Sequence, residues 1–162
     1  MNTNSSSKQA PPVRPRSKSL PSLRGEGRGV RLCNPLNIRR TRDRWKGMRT
    51  PQTDRGFVQF ENFYYGYRAA VLILGKYRRR GWNTLAKIIL HWAPPSENDT
   101  EGYISFVEQQ SGVPRDDILP SISEAPVTWR RILEAMTRIE GGSINQEMRA
   151  ALDRVIHDYP DL

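Results

Sequence analysis

Apolar residues recur along this chain at two spacings, and the change between them falls near residue 62. After it, Tyr67, Ala70, Val71, Leu74 and Tyr77 follow a helical repeat, predicting a helix over 63–80 that Asn62 caps. Leu72 and Ile73 lie off that stripe, so this helix is apolar on most sides and belongs at the centre of the core. Leu85, Ile88, Ile89 and Trp92 give a second helix over 84–92, capped by Asn83 and stopped by Pro94 and Pro95. Asn98 followed by Glu101 is a capping-box pattern for a third over 99–110, with Tyr103, Phe106 and Val107 inward and Gly112 behind it. A fourth begins at Ser123, carries Trp129, Ile132, Leu133, Met136 and Ile139, and ends at Gly141-Gly142. Ser143 and Gln146 then cap a last helix, with Ile144, Met148, Ala151, Leu152 and Val155 on one face before Pro160.

Before residue 62 the pattern is shorter. Ile38, Trp45, Phe57 and Phe60 alternate with turn-forming segments, which predicts two or three short strands in a small lobe over about 30–60. Residues 1–28 mix Ser, Pro, Gly and basic residues with almost no large apolar side chain, and such a segment reads as a disordered arm. The expected class is therefore α+β and mainly helical: an arm over 1–28, a domain over 29–120 that includes the antiparallel β lobe, and a C-terminal helical pair over 121–162 packed on it.

Charge sharpens this division. The net charge of +9 is the sum of +6 over residues 1–31, +10 over 32–93 and −7 over 94–162. A basic front half calls for an anionic partner such as nucleic acid, an acidic wall polymer or an acidic protein surface. Arg78-Arg79-Arg80 before Gly81 reads first as cations complementing a helix C-terminus. The single cysteine, Cys33, excludes an internal disulfide and a Cys-based zinc site. Pairing of Cys33 with His91 as a thiol nucleophile is the weaker reading beside a small buried apolar residue. The first residues lack the apolar core of a secretory signal, and no apolar run approaches a membrane span. No cofactor or metal is expected.

Phosphate loops, zinc-protease, esterase and calcium-loop motifs are all absent. Carboxylates offer more, because glycoside cleavage needs a protonated acid and a second carboxylate nearby. Glu97 follows the apolar segment Trp92-Ala93-Pro94-Pro95 and is the candidate proton donor, with Asp99 or Glu61 as the second group. Asn98, Asp99 and Glu101 also have a complete explanation as helix-start residues. In the lobe, Arg39, Arg40, Arg42, Arg44, Lys46 and Arg49 interleave with Trp45, Phe57 and Phe60. Those aromatics either stack on bases or sugars, or form the lobe's own core inside a cationic rim.

Several motifs together resemble a known family. Arg28-Gly29-Val30-Arg31, Asn34-Pro35-Leu36-Asn37-Ile38-Arg39, Trp45-Lys46-Gly47, the Phe57–Phe60 segment, Gly66-Tyr67-Arg68-Ala69 and Trp92-Ala93-Pro94-Pro95 with Glu97-Asn98-Asp99-Thr100 resemble a family of phage virion structural proteins, over about residues 28–119. The same order is similar to the β lobe and following helix of lysozyme-like glucosaminidases, which implies a lysozyme-like fold and a cell-wall connection. Such enzymes carry their catalytic glutamate on a helix before the lobe, where this chain has only Glu26 as an acid, and Leu32-Cys33 replaces the two asparagines usual before Asn34-Pro35. The matched positions make Asn34, Asn37, Arg39, Trp45, Trp92 and Asn98 the candidate substrate-binding residues. The first expectation is a virion-associated lysozyme-like protein that binds peptidoglycan, with its hydrolysis left open. The alternative is a non-enzymatic virion structural or cargo protein whose basic arm and lobe contact packaged DNA or acidic capsid proteins. Either places the chain in the virion, or in the host cytoplasm before assembly or lysis, beside other virion proteins.

Overall fold

A computed structural model describes residues 27–160, so the expected arm lies almost wholly outside the described residues. The chain opens on a single helical turn, α1 (Arg28–Arg31), where the sequence suggested only the end of an arm. The longest helix, α2 (Phe63–Arg79), starts where Asn62 accepts a hydrogen bond from the Tyr65 N–H. It buries Tyr67, Ala70, Val71, Ile73, Leu74 and Tyr77, so the off-stripe Ile73 is in the core as expected.

The later helices are those the spacing predicts, with shifted starts. Helix α3 (Leu85–Trp92) is capped by Thr84 rather than Asn83, and α4 (Thr100–Ser111) by Asp99 rather than Asn98. Helix α5 (Pro126–Gly141) begins three residues after Ser123, with proline at a first-turn position where its missing N–H costs nothing. Helix α6 (Gln146–Asp158) is capped by Asn145, whose side chain takes the Met148 N–H at 2.7 Å, and not by Ser143. Gly112 and Gly142 end α4 and α5 in the left-handed conformation that glycine adopts without a Cβ penalty.

The expected strands are not among the described residues. Only isolated bridges join Arg39 to Phe57 and Met48 to Phe60. A few backbone bonds, such as Arg40 N–H to the Gly56 carbonyl and Val58 N–H to the Ile38 carbonyl, link the segments, and side chains take other groups that a ladder would use. The Gln59 carboxamide oxygen accepts the N–H groups of Thr53 and Asp54, while Gln52 accepts the Gln59 N–H and donates to the Gln59 carbonyl. Asn37, at φ 54°, turns the chain out of extended geometry after only a few residues. The lobe is therefore a set of turns stitched by glutamine and asparagine amides.

One apolar cluster joins the parts. Leu36, Ile38, Val58 and Phe60 from the lobe share it with Tyr67 and Leu74 of α2, Trp92 of α3, and Trp129, Leu133 and Leu152 of α5 and α6. Helix α4 lies along α5 and α6 along α2. Polar ties cross the same packing: the Tyr67 hydroxyl meets Thr137 Oγ1 at 2.9 Å, and Tyr64 donates to Asp158.

Candidate functional site

The candidate residues converge on the segment from Cys33 to Arg39, which lies between the lobe and the helical body. Asn34 fixes its shape. Buried at 1 % exposure, its Nδ2 donates to the carbonyls of Ile38 and Val58 at 2.8 and 2.9 Å, and its Oδ1 accepts the Ile38 N–H at 2.9 Å. Every polar atom of that side chain is thus committed to backbone, leaving none for a ligand. Cys33 and Asn37 both hold positive φ, at 50° and 54°, so the segment turns at both points into an arch, with Cys33 and Pro35 seated against Gly66 of α2.

Two side chains then reach from the arch to the helices. Asn37 Nδ2 donates to Glu140 Oε2 at 2.7 Å near the end of α5, and Arg39 Nη2 lies 3.3 Å from Glu97 Oε2 in the loop after α3. Glu140 escaped the sequence reading because 103 residues separate it from Asn37 and it sits beside a helix-ending glycine like any surface glutamate.

The structure brings Arg39 and Glu97 together but separates the other candidates by role. Glu97 faces a guanidinium instead of the apolar wall that the preceding Trp-Ala-Pro-Pro segment suggested. Asp99 caps α4 through the Gly102 N–H at 3.0 Å, and Asn98 donates to the Pro94 carbonyl at 3.3 Å. Glu61 is exposed at the start of α2. Trp92 is fully buried in the core, whereas Trp45 is half-buried against it. Cys33 is half-buried, with Arg49 Nη2 3.5 Å from its sulfur.

The lobe's cations divide in the same way. Arg49 turns inward, donating to the carbonyls of Phe60 and Arg31, and Arg40 reaches the Asp54 carbonyl. Arg42, Arg44, Lys46 and Arg55 are exposed and make no ion pair among the described residues. Phe57 is buried beneath the Arg28 guanidinium, 3.7 Å from its ring centroid. The aromatics are thus mostly the lobe's core, and the free cations its outer face.

Asp54 anchors the turn that carries these cations. Burial pushes its carboxyl up, but the N–H groups of Phe57 and Gly56, with Arg28 and Arg31 nearby, outweigh burial and hold it below the ordinary value. A lowered folded value means that its contribution to stability is complete above about pH 4 and is lost as pH falls through the lowered value. Urea midpoints measured from pH 6 downward should therefore fall less steeply below about pH 4 in Asp54→Asn than in the wild type. An equal fall in both would show that the charge on Asp54 does not hold this turn.

No family model matches the chain. Over 120 residues, however, it is 38% identical to Protein P5 of Pseudoalteromonas phage PM2, an alignment spanning 72% of each chain. This chain belongs to the phage PM2 P5 family. An alignment of that length takes in part of the lobe and helices α2 to α4 wherever it begins. No helix among the described residues is long and apolar enough to cross a membrane.

Proposed function

We propose that the protein is a non-enzymatic structural component of a phage virion that uses its basic lobe to hold an anionic partner within the particle, either packaged nucleic acid or an acidic capsid protein. The relationship to a phage protein across most of the chain carries this reading. The exposed face of Arg42, Arg44, Lys46 and Arg55 supplies the contact chemistry.

Peptidoglycan cleavage stands second. It needs a protonated acid beside another carboxylate, whereas Glu97 sits against Arg39 and Asp99 is occupied as a helix cap. The lysozyme-like fold and the wall connection rest on the motif resemblance alone. Mass spectrometry of density-purified particles should detect the chain, and purified protein should release no muropeptides from cell walls. Glu97→Gln should lower stability by less than about 1 kcal/mol, because the ion pair it removes is partly exposed, with side-chain exposures of 28% and 39%. Absence from particles would sink the structural reading. Muropeptide release that disappears in folded Glu97→Gln protein would replace it with the enzymatic one.

A further inference from the structure

The exposed cations of the lobe have neighbours at the end of α2. Gly47 is seated against Tyr65 in the first turns of α2, so closely that a Cβ there would lie 2.0 Å from the Tyr65 ring. At the far end of the same helix, the Lys76 ammonium feels the charges of Asp43, Arg79 and Arg80. Gly47 thus sits at the start of α2, and Asp43 comes near enough to Lys76 for its charge to be felt, which brings the segment 42–46 close to the last turns of the same helix.

The last turn of α2 is itself divided. Arg78 has a structural task, donating to the Leu119 carbonyl at 3.1 Å. Arg79 is exposed and makes no ion pair among the described residues. Arg80 is held over the Trp82 ring at 5.5 Å, and Trp82 is in turn stacked on His91, with ring centroids 3.5 Å apart and planes 8° from parallel. His91 is fixed through Nδ1, 2.8 Å from the Lys87 carbonyl. Complementing the helix dipole requires only nearby positive charge. A guanidinium positioned on a braced aromatic pair is a preorganised contact.

We propose that Arg42, Arg44, Lys46, Lys76, Arg79 and Arg80 form one continuous surface for the phosphate backbone of double-stranded DNA. This rests on reading the basic lobe as anion-contacting, and it extends that contact to a second segment and commits it to one polymer. Phosphate recognition needs cations without an apolar centre, whereas protein interfaces have an apolar core. Among the described residues the exposed large apolar ones are Leu90, Ile118 and Val127, all in α3 or beyond, and none belongs to either cationic segment. Four of the six cations are arginines, whose forked donors match phosphate oxygens.

The test is fluorescence anisotropy of the full chain with a labelled duplex of unrelated sequence, titrated from about 50 to 200 mM salt. Affinity for the wild type should fall steeply with salt. R79Q/R80Q and R42Q/R44Q should each lower the slope of log K against log salt by about 1.8, since each lost phosphate contact removes about 0.9. R131Q/R149Q, which removes the same charge from exposed positions on α5 and α6, should leave the slope unchanged. R79Q alone leaves Arg80 on Trp82, and its expected loss of about 0.9 keeps the test open if the double variant melts early. A slope lowered by R42Q/R44Q but untouched by R79Q and R79Q/R80Q would keep the lobe as the contact and overturn the extension. Binding to polyglutamate without binding to DNA would keep an anion-contacting lobe and overturn the choice of polymer. Salt-sensitive binding to neither would overturn both readings.

Discussion

Asn34→Leu should lower the stability of the protein by roughly 2–4 kcal/mol. Leucine keeps the volume but strands two buried backbone groups, the Ile38 N–H and the Val58 carbonyl, while the Ile38 carbonyl loses one of two donors and keeps the Val58 N–H at 3.0 Å. Each buried polar group left unsatisfied costs about 1–3 kcal/mol, and relaxation of the loop recovers part of the total. At roughly 2–4 °C per kcal/mol for a chain of this size, the melting temperature should drop by roughly 5–15 °C. Calorimetry checks this directly. A variant that melts with the wild type would show that Asn34 does not fix the arch, and would return it to the set of residues free to meet a ligand.

Gly66→Ala should cost about 2–3 kcal/mol for a different reason. A Cβ at this position of α2 would lie 2.3 Å from the Cys33 carbonyl oxygen and 2.9 Å from Pro35 Cδ, and the closer atom is backbone. Neither neighbour can rotate away as a flexible side chain could, so the arch must lift from the helix. Gly141→Ala is the matched control, since a Cβ there meets nothing within 4 Å. That substitution should be neutral or stabilising by up to about 1 kcal/mol, as expected from helix propensity. Equal melting temperatures for Gly66→Ala and wild type would mean that the arch does not press on α2.

These two residues mark what the sequence could and could not disclose. The helical body was legible because Tyr67, Leu74, Ile88, Trp129 and Leu152 stand at positions that only a helix places on one face. Cap positions were less so. Asn83 and Asn98 each precede a second capping residue, and Thr84 and Asp99, one position closer to the helix, make the bonds. Ser143 lost in the same way to Asn145.

The lobe misled because alternating apolar residues and turns describe strands and stitched loops equally well. What separates them is the use of the Asn34, Gln52 and Gln59 amides, the first reaching 24 residues to Val58, which apolar spacing does not record. The site was half visible. The cations at 42, 44 and 46 were among those read from the sequence, but the inward turn of Arg49 and the pairing of Arg39 with Glu97 and of Asn37 with Glu140 depend on the fold.

The amide stitching of the lobe has a consequence for life at high concentration. A strand at the border of a sheet offers a row of unpaired N–H and C=O groups on which another chain can pair, and proteins must blunt such borders to remain dispersed. Here the Gln59 and Gln52 side chains already occupy the donors and acceptors of their own loop. Copies brought close together thus meet no open row of strand groups at this loop on which fibrous pairing could start.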